Sequence, residues 1–355
     1  MMQPLPAAAA IHPHAAPRLA GDASLRIAVV LPCWRVTDSI LDVLASIGPE
    51  CERIYVIDDA CPDGTGALVE TDCADPRVRV LRNSANLGVG GAVLTGYRQA
   101  LADGMHVIVK IDGDGQMDPA LLMDFVQPIA QGEADYCKGN RFYDLDNIHR
   151  MPALRILGNA GLSLMAKLST GYWDLFDPTN GYTAIHRDVA IRLPMAKISP
   201  RYFFETDLLF RLGTQRAVVR DVPMDPRYGE EVSGLKIHRI LGEFAFKHTR
   251  NFCKRVFYNY YLRDMSLASL ELVIGLPMLL FGLLYGMWHW IEGLQTGRET
   301  PTGTIMLATL ATIVGLQFVL AFLGHDISSV PRRALSRSPH RISDARLAVR
   351  ERSPR

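Results

Sequence analysis

His106-Val107-Ile108-Val109-Lys110-Ile111-Asp112-Gly113-Asp114-Gly115-Gln116-Met117-Asp118-Pro119 is the stretch on which the fold turns. Its first half, residues 106–112, is an apolar run of strand length, the mark of a strand buried on both faces. Its second half sets two carboxylates one residue apart where that strand ends. Asp118 and Pro119 then read as the cap and first position of a helix. Asp112 and Asp114 cannot both pack in a core without a partner. With the amide oxygen of Gln116 they form a hard-oxygen set suited to Mg2+ or Mn2+, water and phosphate filling the other positions. An EF-hand is excluded, since its loop needs Gly sixth and Glu twelfth, where this chain has Met117 and Met123.

Working outward, similar apolar runs occupy residues 26–32, 53–58 and 77–82. Segments with helical spacing lie between them, at 37–47, 64–71 and 90–102. Strand alternating with helix predicts an α/β fold, a mainly parallel sheet with helices on both faces. Ligands of such sheets gather at the carboxyl ends of the strands. Pro32, Asp58, Asp59, Asp112 and Asp114 fall there. A carboxylate at such an end can accept hydrogen bonds from a base or ribose. Asn86-Leu87-Gly88-Val89-Gly90-Gly91-Ala92 adds glycines that permit close backbone approach, though it matches neither GxGxxG nor a Walker A loop. Further on, helices are expected at 152–169 and 204–212, and short strands at 182–186 and 217–222.

The chain has 355 residues, 48% of them hydrophobic and 21% charged, enough for two or three structural units and too apolar for wholesale disorder. A net charge of +1 argues against a general nucleic-acid binder. The six cysteines form no CxxC pair and read as buried, reduced thiols. Residues 1–24, rich in Ala, Pro and His, lack the pattern of a signal peptide and read as a disordered tail.

The last third changes character. Residues 267–291 and 304–323 are long apolar stretches, each able to cross a hydrocarbon core of about 30 Å as a helix. Residues 236–263 carry seven Lys/Arg and one acid, Glu243; residues 331–355 carry eight Arg and two acids; the intervening loop has Arg298. This asymmetry predicts a multi-pass cell-membrane protein with both termini and the sheet domain cytoplasmic. Residues 238–261 mix Lys247, Arg250, Lys254 and Arg255 with Phe244, Phe246, Phe252, Phe257, Tyr258, Tyr260 and Tyr261. Such a helix is expected in the headgroup layer, its cations at lipid phosphates. The divisions expected are a tail to 24, a sheet domain 25–236, an amphipathic region 237–264, a hairpin 265–325 and a basic tail 326–355.

Taken together, VVLPCW (29–34), IDDACPDGT (57–65), NLGVGGA (86–92), DGDGQMDP (112–119) and DPTNGY (177–182) resemble a family 2 glycosyltransferase of GT-A fold. More narrowly the chain resembles the polyprenyl-phosphate sugar transferases, the group containing dolichyl-phosphate mannosyltransferase. The likeness covers about 27–236, and extends to about 325 in members with a C-terminal transmembrane hairpin. Gly139-Asn140-Arg141 is similar to the family's Gly-Ser-Arg, and Arg155 with Asn159 to its Arg-x-x-x-Ser. The resemblance implies that Arg141, Arg155 and Asn159 hold an acceptor phosphate, for which guanidinium forks are suited. It implies nucleotide-sugar contacts at Pro32, Asp58, Asp59, Gly90, Asp112 and Lys236, with Asp59 favoured for the base, and a catalytic set of Asp112, Asp114, Arg141, Arg155 and Asp207. Glu205 is the rival of Asp207.

The chain departs from the family in three places. Trp34-Arg35-Val36 stands where Tyr-Asn-Glu is usual, Val89 where Lys is usual, and the element 227–236 is two residues longer and shifts Arg227. The processive-synthase signature QxxRW is absent. The function implied is inverting transfer of a sugar from a nucleotide-sugar (GDP-mannose or a UDP-hexose) to a polyprenyl phosphate, with Mg2+ or Mn2+ as cofactor and membrane lipids as surroundings. Nothing in the sequence excludes a homo-oligomer. A hydroxyl acceptor on a glycolipid or polysaccharide, an inactive membrane-anchored nucleotide-sugar scaffold, and a nucleotidyltransferase are the rivals. The last needs a Gly-rich loop after the first strand, which is missing.

Overall fold

A computed structural model describes residues 25–143, 153–225 and 237–336. Seven strands form one sheet: β1 (Ile27–Cys33), β2 (Arg53–Asp58), β3 (Val78–Arg82), β4 (Val107–Lys110), β5 (Tyr136–Asn140), β6 (Thr183–His186) and β7 (Val219–Pro223). Their spatial order is β3-β2-β1-β4-β6-β5-β7. The first four are parallel, as the alternating pattern requires. β6 runs antiparallel to both β4 and β5, and β5 is parallel to β7. The reversal at β6 brings Lys110 of β4 and Lys138 of β5 to either side of Thr183.

Period-two alternation explains why both faces of β1 and β2 are apolar. Val29, Leu31, Ile54 and Val56 face a core completed by α1 (Ile40–Ser46) and α4 (Leu122–Ala130). Ala28, Val30, Tyr55 and Ile57 face the other core, covered by α3 (Val89–Ala102) and α6 (Phe204–Gln215). The sheet domain also carries α2 (Thr65–Asp72), α5 (Ala153–Thr170) and a single helical turn at Arg187–Ala190. Asp118 accepts from the Ala120 N–H at 3.0 Å, as a cap should. All six cysteines are free; Cys33, Cys51 and Cys137 are buried, whereas Cys253 is exposed.

Two long apolar helices follow, α8 (Leu267–Thr296) and α9 (Thr302–Ser328). Both have the length and hydropathy to cross a membrane. Their backbones approach closely at Gly275, Gly282 and Gly315, where a β-carbon would fall within 2.5 Å of the opposite helix. The outward faces are apolar, with Leu276, Leu280, Leu284, Leu310 and Ile313 exposed. Trp288 and Trp290 are exposed near the C-terminal end of α8. Residues 330–336 do not begin a tail. They fold back on the sheet domain, where the backbone N–H groups of Leu335 and Ser336 donate to the buried Asp135 at 2.9 Å.

The segment before the hairpin corrects one expectation. Helix α7 (Ile237–Phe257) forms as expected and gives way to a wider helical turn at Tyr258–Arg263. Their cations are not all at one surface, however. Arg255 is buried in an ion pair with Asp326, and Lys247 pairs with Glu243 over the Phe203 ring. Phe244 packs on Phe203 and Tyr260 on Phe322. Phe246, Arg250, Lys254, Phe257 and Tyr258 keep the exposed face. α7 must cover α5 and α6 as well as face outward, so half its polar and aromatic residues turn inward.

His248 lies on that inner face. Its Nδ1 is 2.9 Å from the Ser169 hydroxyl of α5, and its ring meets Phe203 edge to face. Burial pushes the imidazole down to about 4, so it is neutral in the folded protein. An unfolded histidine takes up its proton near pH 6.5, so stability should fall as the pH drops from there toward 4. His248→Gln should flatten that part of the curve. Thermal melts of both proteins across the interval check it: parallel curves would remove His248 from the acid sensitivity.

Candidate active site

The acidic ends of the parallel strands gather at one edge of the sheet, each with a different task. Asp58 and Asp59 point apart, as alternation requires. Asp58 accepts from the N–H of Cys61 at 2.7 Å and of Gly66 at 3.1 Å. Asp59 accepts from Leu87 N–H, Gly88 N–H and the Asn83 amide at 2.7–3.0 Å. Both carboxylates are buried and brace the loops that frame the site. Gly88 has φ +83° and opens α3; Gly90, buried on α3, leaves room for the Phe204 ring, which a β-carbon would meet at 2.5 Å. Pro32 sits on β1 opposite Ile57.

At the end of β4, the Asp112 carboxylate receives the ammonium of Lys110, Nζ to Oδ1 at 2.8 Å. The same Nζ lies 3.6 Å from Glu205 Oε1 on α6. Burial works against the Lys110 charge, but Asp112 and Glu205 more than offset it and raise its pKa. The carboxylate facing Asp112 across this lysine is therefore Glu205. Asp207, the expected catalytic acid, turns to the other side of α6. It accepts from Ser199 N–H at 2.8 Å and from the Asn251 amide of α7 at 3.1 Å. Two residues, roughly 200° around the helix, separate the two orientations, which sequence spacing alone did not resolve.

Asp114 accepts from Gln116 N–H at 3.0 Å, closing the 112–116 turn. Ser39 holds that turn by donating to Gly113 O at 2.7 Å. Among the described residues no cluster of three His, Cys, Asp or Glu could grip a metal alone. A pair of carboxylates with an amide oxygen still suits Mg2+ or Mn2+, which retain waters and take their other ligands from phosphate. Gly181 keeps this edge open: a β-carbon there would lie 2.6 Å from Asp112 Oδ2 and 2.5 Å from Lys110 Nζ.

The other half of the site forms around Asp177, whose side chain is 1% exposed. It grips Arg141 with two bonds, Nε to Oδ2 at 2.8 Å and Nη2 to Oδ1 at 3.2 Å. Burial disfavours the Asp177 anion, but Arg141 and Lys138 outweigh it and hold the carboxyl below the usual range. Lys138 is fully buried beneath and donates to the Asn180 carbonyl; burial pushes it down to about 8. Asp221 of β7, bonded to Phe176 N–H, is pushed up to about 6 by burial. Arg141 is about a third exposed at the end of β5. Asn159 lies half-buried on α5; Arg155 falls on the same helix, its side chain outside the described residues, as are Arg227 and Lys236.

Lys110, Lys138, Asp177 and Asp221 escaped the sequence reading as site residues. The available signal was charge inside strand-like apolar runs, as in VIVK and YCKGN, because a buried charge requires a partner.

The family model described as "Glycosyl transferase family 2" matches residues 28–193. Undecaprenyl-phosphate mannosyltransferase of Micrococcus luteus is 30% identical over 205 residues, covering 56% of this chain and 83% of that protein. Polyprenol monophosphomannose synthase of Mycolicibacterium smegmatis is 28% identical over 204 residues, covering 56% and 76%. Among solved structures, glucosyl-3-phosphoglycerate synthase from Mycobacterium tuberculosis in complex with phosphoglyceric acid superposes with a TM-score of 0.49. It shares 22% identity and covers 65% of this chain and 80% of that one.

Gly181→Ala should push the new methyl group into the Lys110–Asp112 pair. Overpacking of this kind costs about 1–3 kcal/mol, which the fold should survive. Nucleotide-diphosphate binding in the presence of Mn2+, measured by calorimetry, should weaken at least about tenfold (about 1.4 kcal/mol). Unchanged affinity would place the nucleotide away from Asp112.

Proposed function

The chain belongs to glycosyl transferase family 2, and from that premise we propose that it moves a hexosyl group, with mannose the leading candidate, from a nucleotide-sugar to a polyprenyl phosphate. The observation that carries this reading is Arg141. Its guanidinium is held two-pronged by a buried carboxylate on the same sheet edge as Asp112 and Asp114, in a chain that carries an apolar helical hairpin. A guanidinium so oriented is suited to an anionic acceptor. The names of the two mannosyl-transferring relatives point the same way.

Asp112, Asp114 and Gln116 would hold Mg2+ or Mn2+, which when bound supplies positive charge at the leaving diphosphate. Lys110 pairs with Asp112 and fixes its Oδ1. Glu205 shares the Lys110 ammonium with Asp112. Arg141, with Arg155 and Asn159 on α5, orients the acceptor phosphate for in-line attack on the anomeric carbon. A phosphate is already anionic at neutral pH, so no general base is needed. A hydroxyl acceptor would need one, and the arginines would then have no task. Asp58 and Asp59 act through the loops they brace, Asp59 shaping the base pocket at 83–88.

In this reading α8 and α9 span the membrane with their connecting residues 297–301 outside, and the exposed face of α7 rests on the headgroups. The fold supports this arrangement, because both ends of the hairpin are tied to the α7 segment that packs on the sheet domain. Tyr261 donates to Ser269 O at the start of α8, and Arg255 pairs with Asp326 near the end of α9.

Transfer of labelled sugar from GDP-mannose and from UDP-hexoses to polyprenyl phosphate in nanodiscs tests the proposal. Asp114→Ala, and wild type in EDTA, should lose transfer while remaining folded. Arg141→Lys should raise KM for polyprenyl phosphate with little change for the donor, because lysine keeps the charge but cannot both hold Asp177 and offer a second N–H edge to the phosphate. The lost charge-assisted bond is worth about 1.5–3 kcal/mol. Lysine is the informative variant: alanine would also leave Asp177 buried and unpaired. Transfer to a glycolipid hydroxyl, with polyprenyl phosphate ignored, would overturn the assignment.

A further inference from the structure

Asp326 lies two residues before the end of α9, 2% exposed, and gathers donors from three other parts of the chain. Arg255 of α7 gives it two bonds, Nη1 to Oδ1 at 2.6 Å and Nη2 to Oδ2 at 2.9 Å. The Tyr260 hydroxyl donates to Oδ1 at 2.6 Å and the Trp173 indole N–H to Oδ2 at 2.9 Å. All four contacts are made in one buried knot at the foot of the apolar hairpin.

Two arms lead from this knot to the acceptor half of the site. The first runs through Arg255, whose Nε and Nη2 also donate to Leu168 O, at 3.0 and 2.8 Å. Leu168 is in the last turn of α5, where carbonyls lack helical partners and a cation is favoured. α5 is the helix that carries Arg155 and Asn159. Gly171 follows it at φ +84°, and a β-carbon there would press on Arg255 Nη1 at 3.0 Å. The second arm runs through Trp173, which Asp326 holds at its ring and Lys167 at its carbonyl, 2.6 Å away. Four residues further on stands Asp177, the carboxylate that grips Arg141.

We propose that Asp326, through Arg255 and Trp173, is a positioning residue for the acceptor phosphate: it ties the mountings of Arg141 and Arg155 to the membrane hairpin. The inference rests on the polyprenyl-phosphate reading above and adds a reason for the hairpin beyond anchorage. A lipid phosphate sits at a fixed depth in the bilayer. Arginines that must meet it have to be set at a fixed height above the hairpin, and a buried ion pair with indole and backbone partners fixes that height more tightly than a chain linker.

The test uses the full chain in nanodiscs, with Asp326→Asn and Trp173→Phe. The asparagine keeps shape but removes the charge that Arg255 requires. The phenylalanine keeps the ring, leaves the ion pair intact and removes the indole bond. Each should raise KM for polyprenyl phosphate, by about tenfold for Asp326→Asn and less for Trp173→Phe, with KM for the nucleotide-sugar unchanged. Hydrogen exchange should rise in peptides covering residues 168–177. If Asp326→Asn does not fold, Trp173→Phe decides. A lower melting temperature with both KM values unchanged would make the knot purely structural and overturn the inference, as would equal changes in both KM values. Wild-type protein that ignores polyprenyl phosphate would instead overturn the functional reading, an outcome told apart by the wild-type rate alone.

Discussion

Charge buried in the middle of a sheet is the constraint around which this molecule is arranged. Lys110 and Lys138 stand on β4 and β5, on either side of β6, with almost no exposure to water. An isolated ammonium there would be driven to its neutral form. Each is answered differently. Lys110 meets two carboxylates, Asp112 and Glu205, and stays charged. Lys138 meets a carbonyl, with Asp177 and Asp221 further off, and its pKa falls to about 8. The antiparallel strand β6 makes this possible. It enters between β4 and β5, and the turn before it carries Asp177, Asn180 and Gly181 to the two ammonium groups.

The same arrangement orders both halves of the site. Asp112 is held by one oxygen because Lys110 takes it, and Gly181 leaves the other uncovered. Arg141 is presented at the sheet edge because Asp177 fills its fork from below, and Asp177 stays ionised because Arg141 and Lys138 favour the anion. The two half-sites thus share a wall of alternating charges through β4, β6 and β5. Altering one member leaves a neighbour buried and unpaired, which in proteins typically costs about 3–5 kcal/mol.

Much of this architecture was legible in the sequence, for identifiable reasons. The strands at 26–32, 53–58 and 106–112 were readable because strands buried on both faces are continuous apolar runs. Helices at 90–102 and 152–169 matched observed ones to within a residue because their periodicity and glycine or proline borders agree. The apolar hairpin was readable from length alone, but α9 continues past Leu323, so Asp326 fell outside the expected span. What periodicity cannot supply is which way a polar residue faces when both sides of its helix are buried. Glu205 and Asp207 are two residues apart on α6; one meets Lys110 and the other Asn251 of α7. Arg255 failed for the same reason, since a basic residue in an aromatic-rich juxtamembrane helix reads as a headgroup contact until Asp326 is seen beside it.

A glycosyltransferase whose acceptor were dissolved in water could vary the height of its acceptor arginines freely. If the phosphate is confined to a plane, as proposed here, that freedom is lost, and geometry must pass from the membrane-facing elements to the catalytic edge. Among the described residues it does so in three places. The first is the Asp326 knot, and the second is Asp135, which binds residues 335–336 on their return from the hairpin. The third is the packing of α7 over α5 and α6 through His248, Asn251 and Phe244. The first two are buried carboxylates satisfied by partners from distant parts of the chain, and in the third His248 and Asn251 each meet one such partner. Hydrogen bonds are directional where apolar contacts are not, so such groups define a relative position as well as an association. Arg255, which its aromatic-rich surroundings placed at lipid phosphates, is one of the residues that hold the sheet domain and the hairpin in register.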